Sequence, residues 1–133
     1  MAATTVTTLL DTDVLIDVLR QHPAAKEWLT HEADTNIVIH GVVAMEIISG
    51  AGDKQDLRRT QTFLSRFTLA WPTAAEFEYA FQLLAENRLA TGVGIPDCLI
   101  AATAITRSWR LYTFNLKHYR HFAGIQVVSP YSR

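Results

Sequence analysis

Val6-Thr7-Thr8-Leu9-Leu10-Asp11-Thr12-Asp13-Val14-Leu15-Ile16-Asp17-Val18 is the stretch that decides the fold. A β-branched, apolar run from Val6 to Leu10 stops at Asp11, and Asp13 follows two residues later. At Val14 the pattern turns from strand-like to helix-like. A run this apolar belongs in the interior of a sheet, because an edge strand facing water would alternate with polar residues. A carboxylate at the carboxyl end of such a strand, where the chain enters a helix, stands where open α/β sheets place their chemistry. The plainer role for Asp11 or Asp13 is to cap that helix.

Outward from this stretch, strands and helices alternate. Val14–Arg20 reads as a short helix, and Pro23 suits the start of another over Ala24–Ala33, with Trp28 and Leu29 inward. Ile37–Ile39 is a second strand, broken at Gly41. Val42–Ser49 is a helix closed by Gly50 and Gly52. Lys54–Phe67 is amphipathic, with Leu57, Leu64 and Phe67 on one face and Lys54, Arg58 and Arg59 on another. Leu69–Trp71 is a short strand. Thr73 or its neighbour caps a long helix over Ala74–Ala90, whose apolar positions Phe77, Ala80, Phe81, Leu84 and Ala85 recur at three and four. Pro96 and Asp97 open a helix to Trp109 with a small-residue stripe. Leu111–Thr113, Leu116–Phe122 and Gln126–Val128 follow as strand, helix and strand. The alternation predicts one α/β domain over residues 1–133, three layers deep, with a central and mostly parallel sheet of four to five strands.

Composition narrows the class. The 133 residues are 49% apolar, which suits one globular core. No apolar run reaches the roughly 18 residues of a membrane span. No Lys or Arg precedes the first apolar run, so a signal peptide is not expected. Cys98 is alone and makes no disulfide framework. These features point to a cytoplasmic location. The net charge of −1 hides an asymmetry. Residues 1–97 hold all 13 acids against seven Lys/Arg, a net of −6, whereas residues 98–133 hold five Lys/Arg and no acid, a net of +5. Such a tail suits a polyanion or an acidic partner surface, or is simply solvated charge.

Parallel strands bring their carboxyl ends to one rim, where Asp11 and Glu46 fall. Glu46 sits among Val42, Val43, Met45, Ile47 and Ile48, so it must be paired, protonated or bound to something. A salt bridge to a nearby Arg would satisfy it. Asp97 opens an apolar helix whose N-terminus favours its charge, and a simple N-cap would also explain it. Three acids beside dense apolar segments are costly unless a cation neutralises them. All-oxygen donors suit Mg²⁺ or Mn²⁺, and a carboxylate-held metal suggests phosphate chemistry. A Gly-x-Ser-x-Gly elbow and a Gly-rich phosphate loop are both missing. Two histidines, His118 and His121, are too few for a zinc site. Asp11-Thr12-Asp13 invites comparison with haloacid-dehalogenase-like phosphatases, but Leu15 stands where that motif needs Thr or Val.

The residues carry a resemblance. Leu9–Ile16, Val43–Gly50, Pro96–Ala104, Tyr112–Tyr119 and Val127–Pro130 resemble, in order, the motifs of PIN-domain proteins of the VapC type, the toxin half of type II toxin–antitoxin pairs. The resemblance implies a PIN-like α/β/α sandwich and a Mg²⁺- or Mn²⁺-dependent endoribonuclease in which metal-activated water hydrolyses RNA phosphodiesters. It also implies a homodimer and a cognate VapB-like antitoxin. The substrate would be tRNA, rRNA or mRNA. Asp11, Glu46 and Asp97 carry over as catalytic acids and metal ligands, with Thr12 and Thr113 in support. Many members have a further acid in the motif after the fourth strand, but no Asp or Glu follows Asp97 here. Asp13, which stands where Asn is usual, and Asn115, through its carbonyl oxygen, are candidates to make up the set. His118 is a candidate for phosphate contact or proton transfer. Lys54, Arg58, Arg59, Lys117 and Arg120 would guide an RNA backbone. The alternative is a catalytically weakened PIN domain that binds RNA or a partner without cleaving.

Overall fold

The computed structural model describes residues 6–32 and 35–133. β1 (Val6–Leu10) leads through α1 (Thr12–Leu19) and α2 (Pro23–His31) to β2 (Thr35–His40). α3 (Gly41–Ser49) and α4 (Lys54–Leu64) precede β3 (Thr68–Ala70). α5 (Ala74–Thr91) and α6 (Ile95–Arg107) precede β4 (Arg110–Tyr112), and α7 (Leu116–Tyr119) precedes β5 (Gln126–Val128). Ala33, assigned from sequence to the second helix, lies outside the described residues.

All four strand pairings are parallel, in the order β3-β2-β1-β4-β5. β1 is therefore central, as its apolar sequence predicts. Thr8, Leu9 and Leu10 are fully buried although successive side chains point to opposite faces, so both faces of the sheet are covered. The α/β expectation holds, with five strands among the described residues. From β1 the chain builds outward to β2 and β3, then crosses back to place β4 on the other side. The strand order reverses between β1 and β4, and open sheets bind ligands outside the carboxyl ends of the strands at such a point. Among the described residues, no helix is long and apolar enough to cross a membrane.

Two burial expectations need correction. The long helix α5 does not bury Phe77 and Phe81, which are 53% and 75% exposed. Its inward positions are Glu76, Ala80 and Leu83, spaced at four and three. The large apolar residues lie on a neighbouring face that the fold leaves open. Glu46 is exposed, as is Met45 beside it, so α3 has a solvent side despite its apolar composition.

Glu76 is buried because it has partners. Its carboxylate accepts from Arg107 Nε at 2.8 Å and Nη2 at 2.9 Å, from the Thr103 hydroxyl at 3.1 Å and from the Thr73 N–H at 3.1 Å. The last of these, with Thr73 Oγ accepting the Glu76 N–H, is a capping box at the start of α5. The network continues into the core. His40 Nδ1 accepts the Val42 N–H at 3.0 Å, which leaves Nε2 to donate to Thr103 Oγ at 3.1 Å. His40 thus caps α3 and ties it to α6.

Burial holds His40 well below the ordinary range, at about 4. The folded value is below the unfolded one. The stability due to the neutral ring is therefore complete above about pH 6.5 and is lost as pH falls towards 4. The full effect is on the order of 3 kcal/mol. An NMR titration of the five histidines should show His40 neutral down to about pH 4. His40→Gln should flatten the fall in stability between these pH values.

Candidate active site

Asp11 leaves the carboxyl end of β1 with its N–H bonded to the Tyr112 carbonyl of β4 at 2.9 Å. Its side chain caps α1 through the Thr12 N–H at 2.9 Å. Capping is therefore real, but it uses only Oδ1. The other oxygen accepts the Thr113 hydroxyl at 2.8 Å, across the point where the strand order reverses. Thr113 is fully buried, and its oxygen also accepts the Asn115 N–H at 3.0 Å. One hydroxyl thus aims Asp11 and shapes the loop after β4.

Asp13, on the first turn of α1, braces the same loop by accepting the Phe114 N–H at 3.1 Å. Its Oδ1 is buried with no partner. Burial first, and the Asp11 charge second, push its carboxyl up to about 6. Asn115 is exposed at the mouth of the loop.

Asp97 comes from the first turn of α6, half-buried. Its Oδ1 accepts the hydroxyl of Tyr119 at 3.2 Å, and its Oδ2 accepts the Gly94 N–H at 3.4 Å. His118 Nδ1 lies 3.4 Å from the same Oδ2. Tyr119 is fully buried. Burial, with the Asp11 and Asp97 charges behind it, pushes the phenol far up, so Tyr119 stays a proton donor.

Glu46 completes the rim from α3, with no salt bridge to any arginine among the described residues. Partial desolvation and then the Asp11 charge raise the Glu46 carboxyl, the Thr12 hydroxyl eases it and the Asp97 charge raises it again. That hydroxyl is buried and has no partner at ordinary hydrogen-bond geometry. Burial likewise lifts Asp11, opposed by Thr113 and Thr12 and reinforced by Asp97.

Glu46 feels the charges of Asp11 and Asp97, and Asp11 that of Asp97, across one rim. Among the described residues, no three Asp, Glu, His or Cys side chains stand close enough together, as they lie, to hold a metal ion. An open arrangement suits Mg²⁺ or Mn²⁺, since Mg²⁺ is usually held by one or two carboxylates and keeps several waters. Oxygen donors, carboxyls raised by burial and then by neighbouring acid charge, and two buried oxygens without partners suit a hard divalent cation. Asp11, Glu46 and Asp97 would hold it.

The basic candidates divide. Lys54, Arg58, Arg59, Lys117 and Arg120 are all exposed. Arg59 and Arg20 line a cleft of about 430 Å³ that contains Glu46. The rest of the basic tail is used internally. Arg107 pairs with Glu76, Arg110 bonds Thr8 Oγ at 3.4 Å and covers Tyr112, and Arg133 bonds Asp17 at 3.0 Å. Sequence reading missed Tyr119 as a partner of Asp97. Its place beside His118, in a motif already singled out, was the available signal.

Thr113→Val removes a donor to Asp11 and an acceptor for Asn115 in a buried setting. It should cost about 1–3 kcal/mol in urea denaturation with chelator present, while Thr113→Ser should retain most of the stability.

The model of the PIN domain family matches residues 8–123. The chain is 30% identical over 125 residues to Ribonuclease VapC10 of Mycobacterium tuberculosis, covering 93% of this chain and 92% of that protein. It is 28% identical over 130 residues to Ribonuclease VapC of Rickettsia bellii, covering 91% and 94%. The fold is similar to a chain of a toxin–antitoxin complex from Klebsiella pneumoniae, with a TM-score of 0.76, 29% identity and coverage of 95% and 99%.

Proposed function

The chain belongs to the PIN-domain family, in its VapC ribonuclease branch, and on that premise we propose that it is the toxin of a toxin–antitoxin pair, acting as a Mg²⁺- or Mn²⁺-dependent endoribonuclease. The observation that supports the reading is that Asp11, Glu46 and Asp97 lie on one rim beside the reversal of strand order, where burial, and behind it the charge of neighbouring acids, raises the Asp11 and Glu46 carboxyls. A divalent ion bound there supplies the Lewis acidity that makes water a competent nucleophile at neutral pH and steadies the leaving oxygen.

The chain's own groups do the positioning. Thr113 and the Thr12 N–H hold Asp11 in one rotamer, and Tyr119 and Gly94 hold Asp97. Glu46 reaches the rim from a helix anchored by His40. Its exposure leaves the site open to a large substrate. Arg20 and Arg59 border the cleft at Glu46, and Lys117 and Arg120 flank the loop at Asp97. These cations suit an RNA backbone passing across the acids. Exposed Met45, Trp71, Phe77, Phe81 and Ile95 offer apolar surface of the kind that protein partners cover, in keeping with an antitoxin and a second copy of the chain. A cytoplasmic location goes with this reading.

Incubation of purified protein with total RNA and Mg²⁺ or Mn²⁺ should yield fragments with 5′-phosphate and 3′-hydroxyl ends. Asp11→Asn and Asp97→Asn should each reduce cleavage by about 100-fold or more. Cleavage that survives in both variants, or in excess chelator, would overturn the reading.

A further inference from the structure

Asp13 and Asp17 stand four apart on α1, so their side chains share one face of the helix. Asp13 accepts the Phe114 N–H. Asp17 is buried, and a buried carboxylate is costly unless it is paired. Both of its partners come from the segment after β5. Its Oδ2 accepts the Tyr131 hydroxyl at 2.9 Å, and its Oδ1 accepts from Arg133 Nη2 at 3.0 Å.

The same two partners cover Phe114. The Tyr131 and Phe114 rings meet edge to face, with centroids 5.1 Å apart. The Arg133 guanidinium lies over the Phe114 ring, 4.5 Å from its centroid. Trp28 of α2 backs Tyr131 at 6.0 Å and packs edge-on against Tyr112 of β4 at 4.8 Å. Phe114 is thus held twice from α1, its N–H by Asp13 and its ring by the pair that Asp17 secures. Sheet pairing stops one residue earlier, where the Thr113 N–H reaches the Val128 carbonyl at 3.1 Å, and Phe114 is only half-buried. The grip on Phe114 therefore fixes the loop at the rim, in which Thr113 aims Asp11.

We propose that Tyr131 is a positioning residue of the candidate active site: anchored on Asp17, it holds Phe114 and so keeps the Thr113–Asn115 loop in the place that orients Asp11 and Asp13. Its effect on cleavage rests on the ribonuclease reading above. Tyr131 acts through Phe114 and not on the substrate. A misplacement of about 1 Å in a reacting group costs on the order of 100-fold in rate, whereas binding along the exposed cations is left alone. The signature is a fall in kcat at constant KM.

The test is amide hydrogen exchange by NMR on the full chain with chelator present, followed by cleavage kinetics on RNA with Mg²⁺. Tyr131→Ala should speed exchange of the Phe114 N–H by about 10-fold or more and leave Leu9 and Leu10 of β1 unchanged. Tyr131→Phe keeps the ring on Phe114 and loses only the bond to Asp17, so it should give a smaller rise at the same amide. In both variants kcat should fall with KM unchanged, by about 10-fold or more in Tyr131→Ala. If Tyr131→Ala does not fold, Tyr131→Phe decides by the same comparison. No rise at Phe114 would overturn the proposal. So would an equal rise at Leu9 and Leu10, which is general loosening of the fold, or a rise in KM at constant kcat, which is a contact with substrate. If the wild type cleaves no RNA, the ribonuclease reading fails while the exchange result still decides the grip on Phe114.

Discussion

The hydrogen bond from Thr113 to Asp11 joins the ends of β1 and β4 at the one place where neighbouring strands are not built outward in sequence order. Two strands that meet there diverge above the sheet, because their following segments leave in different directions. The resulting gap needs polar groups at its floor, since the backbone ends there. Asp11 supplies them, bonded on one oxygen by the α1 N-terminus and on the other by Thr113. The remaining acids are placed relative to that floor: Asp13 from the same helix, Asp97 from the start of α6 and Glu46 from α3. Burial first, and neighbouring acid charge behind it, raise the carboxyls of Asp11, Asp13 and Glu46, so the rim is a place where stability is given up.

A second polar system works in the opposite sense. His40, Thr103, Glu76 and Arg107 form a buried chain in which nearly every donor meets an acceptor. It connects the end of β2, the start of α5 and the body of α6. α3 and α6 carry Glu46 and Asp97, so this chain fixes the spacing of two of the three acids from behind the site. A satisfied network is stiff because no member can move without leaving a buried group unpaired. Small residues on α6, with Ala101, Ala102 and Ala104 essentially buried, let the surrounding helices approach closely enough for it to form.

Much of this was legible in the sequence because it depends on local pattern. The Val6–Leu10 run is long, β-branched and uninterrupted, which only a central strand satisfies. Asp11 and Asp97 mark element boundaries where the hydrophobic period changes. Glu46 was legible as a polar interruption in an apolar helix, although the reason offered, enclosure by apolar neighbours, was wrong: its side chain faces solvent. The α5 stripe misled for a related reason. Phe77, Phe81 and Leu84 have helical spacing, but periodicity identifies an apolar face without saying whether the same chain covers it. Glu76, charged and apparently a surface residue, is buried because Arg107 lies 31 positions further on and reaches it.

The sequence by itself determined the order of elements, the central position of the first strand and the identities of the acids that end up on the rim. These follow from side-chain period, β-branching and capping, which act over a few residues. The tertiary structure alone decided which groups pair. It gave Arg107 to Glu76, Arg133 to Asp17 and Tyr119 to Asp97, and so left Lys117 and Arg120 exposed beside the site. It also turned His118 towards Asp97, in a segment that composition describes only as lacking acid. Electrostatic and hydrogen-bonding partners act through space over a few ångströms, and positions far apart in the chain become neighbours only when the sheet closes.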